Sequence, residues 1–131
     1  MTAREPNFRS AARRVRGLGA AHSGTGHFIG VRVTSVALIF LTVAFVVIAI
    51  ALLGRNHAAV VQILGSPIVA VIILLFVAAT VYHMWVGMQE IIIDYVHDDG
   101  PKFAVLLANS FFCIVVGVAC AFAILKLSFG V

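Results

Sequence analysis

Residues 82–95 place one histidine, two carboxylates and a glycine inside a long apolar run. On a helix that advances about 100° per residue, these four residues share one narrow face, spread over roughly 60°. The four are His83, Gly87, Glu90 and Asp94. Ionisable groups in hydrocarbon are costly, and they indicate a functional site by default. Two kinds of chemistry fit this face: haem ligation by a neutral imidazole, and proton movement along the histidine and the carboxylates.

His83 has two interpretations from the residues alone. It precedes Asp94 by eleven residues, or roughly 16 Å along a helix, which puts it near the middle of a bilayer. A histidine at that depth either donates a hydrogen bond to a neighbouring helix or ligates haem iron. Gly87, one turn further on, favours the haem slightly, because a flat macrocycle needs a gap in the wall of side chains.

The number of histidines limits how a haem could be bound. Of the five in the chain, four are expected outside the apolar runs: His22, His27, His57 and His97. Only His83 is expected at mid-membrane depth. If a haem has two histidine ligands, the second therefore belongs to another polypeptide, either a second copy or a second anchor subunit.

The composition excludes a soluble domain. Hydrophobic residues make up 63% of the 131 residues and charged residues only 11%, and the mean hydropathy is +1.14, which is typical of an integral membrane protein. The net charge of +4 does not indicate a nucleic-acid partner, since five of the nine basic residues precede the first apolar run and act as a topology signal. Those five are Arg4, Arg9, Arg13, Arg14 and Arg16.

Three apolar runs predict an all-α membrane protein with three transmembrane helices, over about 31–53, 67–94 and 103–126. Each run can cross a hydrocarbon core of about 30 Å. Residues 1–30 are expected to form an amino-terminal arm and residues 31–131 the transmembrane anchor, with polar connections at 54–65 and 97–102. Three spans place the termini on opposite sides, and the arginine-rich arm predicts a cytoplasmic amino terminus.

Several motifs resemble the small membrane-anchor (D) subunits of succinate dehydrogenase, respiratory complex II. They are HMWVGM at residues 83–88, DYV at 94–96, and HFI at 27–29 leading to RVTS at 32–35. The resemblance covers the three spans, the order of the loops and the chain length. It implies a place in a heteromeric, haem-binding helical bundle, and it implies that the chain is not an enzyme by itself.

The resemblance also implies roles for individual residues. His83 would be an axial ligand of the iron of haem b, with the other ligand from a sister anchor subunit. Arg32, at the start of the first span, would lie near the haem propionates; from the residues alone it could equally extend to the lipid headgroups. Gly87 and His27 would complete the haem environment.

Tyr95 and Asp94 would contribute to a quinone site at the cytoplasmic edge of the membrane. A quinone needs donors for its two carbonyls, and a tyrosine hydroxyl is a neutral donor. The alternative for Tyr95 is an interfacial aromatic anchor. Asp94 would orient the tyrosine, relay protons or pair with a cation of a neighbouring subunit.

The implied assembly consists of a flavoprotein, an iron–sulfur subunit and two membrane anchors in the bacterial cytoplasmic (inner) membrane, with ubiquinone or another quinone as the substrate. The implied function is to dock the two soluble subunits, share haem b and help to reduce quinone. Two alternatives stand beside it: the anchor of a fumarate reductase, and a non-redox assembly or proton-conducting subunit. A partner with three spans and one mid-membrane histidine would favour the first function.

Overall fold

A computed structural model describes residues 24–130 as an all-helical chain, without strands in that range. The helices are α1 (Gly24–Leu52), α2 (His57–Leu64), α3 (Pro67–Tyr95) and α4 (Asp99–Phe129). Three of them, α1, α3 and α4, are long and apolar enough to cross a membrane. The predicted fold class is therefore confirmed. Most of the predicted amino-terminal arm, residues 1–23, lies outside the described residues.

The three long helices extend beyond the apolar runs that predicted them. They contain 29, 29 and 31 residues, or about 43–47 Å at 1.5 Å per residue, which matches a bilayer with its headgroup regions. Helix α1 begins at Gly24 rather than at residue 31, so His27 lies in its first turn. Apolar runs indicate only the part of a helix in hydrocarbon, because its ends in the headgroup region tolerate small and polar residues.

Both connections contain more helix than the sequence predicted. Helix α2 occupies most of the segment expected as a loop; Asn56 begins it by accepting a hydrogen bond from the Ala59 amide at 2.9 Å. Helix α4 begins at Asp99, so the turn expected at 97–102 is shorter than predicted. Pro101 fits there because the first amides of a helix have no partner within the helix.

Helix α3 lies between α1 and α4, and within the described residues the outer two helices have no extensive contact with each other. Small residues allow close approach on both sides. A Cβ at Gly30 of α1 would lie 2.5 Å from the Tyr82 hydroxyl oxygen, and a Cβ at Gly117 of α4 would lie 3.4 Å from Val81. Further along α1, the ring of Phe45 stacks on that of Phe76 with centroids 4.7 Å apart.

This layer of three helices buries few side chains. Within the described residues the buried positions are Ala70, Val86, Ile92, Cys113 and Asn109. Large apolar side chains on all three long helices are exposed instead. In a membrane those surfaces face lipid or the helices of a partner, so the chain depends on its surroundings for most of its apolar contacts.

The short helix α2 packs against α4 and the adjoining part of α3. A Cβ at Gly65 would lie 2.9 Å from the backbone oxygen of Leu127 and 2.9 Å from that of Val61. The end of α4 therefore lies beside the connection between α1 and α3. His27, Tyr95 and Asp99 lie at the other end of the layer.

Gly65→Ala is expected to destabilise the purified chain in detergent by about 1–3 kcal/mol, because backbone atoms cannot move aside as a flexible side chain can. Thermal unfolding followed by far-ultraviolet circular dichroism measures the effect. Gly100→Ala is the control, since a Cβ at Gly100 meets nothing within 4 Å. Equal unfolding temperatures for the two variants would show that α2 does not pack closely on α4.

Candidate functional site

His83 faces α1, and its ring contacts a hydroxyl there. The side chain is half-buried, and its Nδ1 lies 3.2 Å from Thr34 Oγ1. Within the described residues, Nε2 has no hydrogen-bond partner, and the atom is accessible at the surface of the chain. The unpartnered nitrogen can therefore ligate a metal or donate to a group outside this chain.

Thr34 is anchored to its own helix. Its hydroxyl donates to the Gly30 carbonyl at 2.8 Å and lies 3.1 Å from the Val31 carbonyl. The β-branched side chain has few rotamers in a helix, and this i−4 hydrogen bond selects one of them. The oxygen that faces His83 is thus held in place by α1.

His27 and Glu90 form a second polar contact between α1 and α3. His27 Nδ1 lies 3.2 Å from Glu90 Oε1, and the two side chains are 39% and 57% exposed. The contact is a charged pair only when the imidazole is protonated, and at this exposure it contributes at most about 1 kcal/mol. His27 was expected in the haem environment. In the structure it contacts Glu90, which lies seven residues, or about two turns, along α3 from His83.

Gly87 leaves a gap on the same face of α3. A Cβ built on this residue would meet no atom within 4 Å. The gap lies one turn from His83, between the two polar contacts with α1. The surface of α3 at Gly87 is therefore open, and no side chain of this chain covers it.

Trp85 fixes the opposite side of α3 to α4. Its indole Nε1 donates to Ser110 Oγ at 3.1 Å, and the Asn109 amide donates to the Trp85 carbonyl at 3.1 Å. Within residues 24–130, Asn109 is the only buried polar side chain. These hydrogen bonds hold α3 at the level of His83, so that the histidine is positioned from both neighbouring helices.

A groove of about 490 Å³ opens between α3 and α4. Its walls are mainly apolar, with Val81, Ile114 and Gly117 among them, and Tyr82 and Ser110 also line it. It lies on the α4 side of α3 and does not include His83. The groove is therefore separate from the face that carries the histidine.

The structure does not bring Arg32 to His83. The Arg32 guanidinium lies 4.8 Å from the centre of the Phe28 ring, and both residues are exposed. Arg32 is about 160° around α1 from Thr34, the residue that contacts the histidine. Arg32 therefore presents its guanidinium to the surroundings of the chain and not to the contact between Thr34 and His83.

Asp94 and Tyr95 lie at the end of α3, and both are exposed. Tyr95 is 79% exposed, and within the described residues neither side chain has a hydrogen-bond partner. About 100° of helix rotation separates them, so only Asp94 continues the face of His83. Tyr95 thus presents a free hydroxyl at one end of the layer.

Sequence reasoning missed two of these contacts. Thr34 belongs to a quoted motif, but no role was assigned to it, since a threonine in an apolar run is usually satisfied by its own helix. One feature of the sequence could have indicated the contact: Thr34 lies on the same face of α1 as His27, seven residues or about two turns away. The pairing of His27 with Glu90 was missed because α1 was expected to begin after His27.

Within residues 24–130, no group of three or more histidine, cysteine or acidic side chains could hold a metal ion. Among those residues, His83 offers one open ring nitrogen, Nε2, as a possible ligand.

The chain is similar to known membrane anchors over most of its length. It matches the family described as "Succinate dehydrogenase/Fumarate reductase transmembrane subunit" over residues 6–117. It is 31% identical over 114 residues to a succinate dehydrogenase hydrophobic membrane anchor subunit of Paracoccus denitrificans, covering 87% of this chain and 88% of that protein. The protein of the same name from Rickettsia bellii (strain RML369-C) is 26% identical over 113 residues, with 86% and 90% covered. No solved structure matches the chain significantly.

Proposed function

The chain belongs to the family of succinate dehydrogenase and fumarate reductase transmembrane subunits, and on that premise we propose that it anchors a flavoprotein and an iron–sulfur subunit to the membrane. It shares haem b with a second anchor and helps to bind quinone. Succinate is oxidised in the soluble subunits. The observation that carries the proposal is the arrangement of His83, which offers one ring nitrogen beside an open gap in the middle of a membrane helix.

The residues around His83 fit a haem. Thr34 contacts Nδ1, which would leave Nε2 to bind the iron. Gly87, one turn away, has no side chain that would obstruct a flat macrocycle there. When bound, haem b would supply a one-electron redox centre, and this chain would hold it through His83 and an apolar wall.

Two observations support a second anchor chain: the number of ligands that His83 offers and the exposed apolar surface. His83 can provide one of two axial ligands, and the described residues bury few apolar side chains. A partner that covers part of the exposed surface, and contributes its own histidine, completes both the ligation and the packing. The proposed site therefore lies between subunits.

The quinone site is proposed at the end of α3 that carries Tyr95. Quinone takes up two electrons from the iron–sulfur subunit and two protons from water to form quinol, so its headgroup must lie near the membrane edge. The free Tyr95 hydroxyl can donate to one quinone carbonyl there. Asp94, adjacent in sequence and exposed, can pass protons or orient a partner's cation.

The orientation of the chain supports docking at the same end. The arginine-rich amino terminus predicts that the start of α1 is cytoplasmic. Because α3 runs antiparallel to α1, its final residue, Tyr95, then lies on the cytoplasmic side as well. The proposal accordingly puts the soluble subunits and the quinone site on one side of the bacterial inner membrane, and the carboxyl terminus on the other.

A proton path along α3 is less well supported. Within the described residues, no hydrogen bond links His83, Glu90 and Asp94, and Glu90 contacts His27 instead. A redox anchor accounts for more of the geometry around His83 than a proton path does. The same geometry serves a fumarate reductase anchor, in which electrons pass from quinol to the soluble subunits.

His83→Ala is expected to remove haem b from the assembled complex while α3 stays inserted, because alanine is apolar and a good helix former. Haem per complex, measured by pyridine haemochrome absorbance, should fall to near zero. His57→Ala, an exposed histidine of α2, is the control and should keep full haem content. Full haem with an unchanged spectrum in His83→Ala would refute the ligand assignment.

Gly87→Leu is expected to lower haem occupancy, because the leucine side chain fills the gap beside His83. The difference spectrum of dithionite-reduced minus oxidised complex measures occupancy. Ala119→Leu introduces a similar side chain at an exposed position of α4 and should have no effect. Equal losses in both variants would mean that the gap at Gly87 is not used.

Tyr95→Phe is expected to lower quinone reduction about five- to 150-fold, the equivalent of one lost hydrogen bond of roughly 1–3 kcal/mol. Reduction of a dye upstream of quinone should be unchanged, because the soluble subunits remain docked. The control is Tyr82→Phe, which removes a tyrosine hydroxyl that packs against Gly30, away from the end of α3. This variant should keep normal quinone reduction. Normal quinone reduction in Tyr95→Phe would leave Tyr95 an interfacial aromatic anchor.

A further inference from the structure

The hydroxyl of Thr34 has one proton and three possible acceptors. Its oxygen lies 2.8 Å from the Gly30 carbonyl, 3.1 Å from the Val31 carbonyl and 3.2 Å from His83 Nδ1. The shortest of these is the i−4 hydrogen bond within α1, which is common for threonine in membrane helices. The hydroxyl therefore donates to its own helix and offers a lone pair to the histidine.

The surroundings of His83 lead to the same assignment. A neutral imidazole carries one proton, on either Nδ1 or Nε2. If Nε2 carried it, that N–H would lack an acceptor among the described residues, which is costly in an apolar environment. If Nδ1 carries it, the N–H donates to Thr34 Oγ1 and Nε2 keeps its lone pair.

We propose that Thr34 is a positioning residue for haem b: it accepts a hydrogen bond from His83 Nδ1–H, and thereby fixes the tautomer and ring plane that present Nε2 to the iron. This inference rests on the proposed role of His83 as a ligand. A hydrogen-bonded Nδ1–H makes the imidazole a stronger donor to the metal. Stronger donation favours ferric over ferrous iron and lowers the haem reduction potential.

Gly30 supports this arrangement from α1. Its carbonyl accepts the hydroxyl proton of Thr34, and the absence of a Cβ leaves room for the Tyr82 hydroxyl. Tyr82 precedes His83 in the chain, so the close approach of α1 and α3 at Gly30 brings the threonine within reach of the histidine. The positioning contact thus depends on the packing of two helices.

The test compares Thr34→Val, Thr34→Ala and Thr34→Ser in the intact, purified complex. Valine keeps the branched shape of threonine, alanine is the hydroxyl-free variant least able to disturb the fold, and serine restores the acceptor. Ser35→Ala is the control, because the Ser35 hydroxyl donates to Val31 of its own helix at 2.7 Å. Three properties are measured: haem transfer to apomyoglobin, the electron paramagnetic resonance of the ferric haem, and the midpoint potential.

The hydroxyl-free variants are expected to hold haem about 10- to 100-fold more weakly. Their midpoint potential should shift upwards, and their low-spin resonance should change because the ring plane is no longer fixed. Thr34→Ser and Ser35→Ala should match the unmodified complex in all three. Rescue by serine separates the hydroxyl from the shape of the side chain.

Three results would contradict the proposal, and they can be told apart. If His83→Ala loses haem while Thr34→Val and Thr34→Ala match the unmodified complex in potential and resonance, the positioning role is wrong and the ligand assignment stands. If the unmodified complex contains no haem b, or His83→Ala retains it, both inferences fail. A potential that shifts equally in Thr34→Ser would likewise exclude the hydrogen bond as the cause.

Discussion

The structure depends on one constraint: polar groups inside a membrane helix must find partners on neighbouring helices, because hydrocarbon provides none. His83 meets this requirement through Thr34 on α1, and the Trp85 indole meets it through Ser110 on α4. Both outer helices are thereby tied to α3 at the level of the histidine. Glycines at the crossings permit the close approach that these hydrogen bonds require. A central helix with one polar group directed to each side explains the order of the layer, with α3 between α1 and α4.

The same constraint explains why the chain is suited to a larger assembly. Thr34 satisfies only one nitrogen of His83, and few apolar side chains are buried within residues 24–130. A histidine with one unpartnered nitrogen beside an open gap is costly in lipid, but it is useful where a cofactor and a second chain complete the site. The exposed surfaces are then sites for lipid and partner helices. The haem site proposed at His83 and the quinone site proposed at Tyr95 lie at different depths, about 18 Å apart along the axis of α3.

The sequence predicted the helices better than it predicted their contacts. Three apolar runs were sufficient for three spans, and the spacing from His83 to Glu90 placed both on one face of α3, where the structure shows both in contact with α1. The partner residues on α1 were not predicted. His27 was assigned to the arm because hydropathy does not detect the end of a helix in the headgroup region. The place of Arg32 near a haem stays a prediction, and the contact of its guanidinium with the Phe28 ring, four residues earlier on α1, was not anticipated.

The most direct test of this account is the haem b content of the intact complex, expressed per copy of this chain. The complex is purified through a tag on the carboxyl terminus, haem is quantified as pyridine haemochrome, and the chain is quantified by amino-acid analysis. The account predicts one haem b per copy, in a six-coordinate, low-spin state, together with a second anchor subunit in equal amount. A complete complex that reduces quinone but contains no haem b would contradict it.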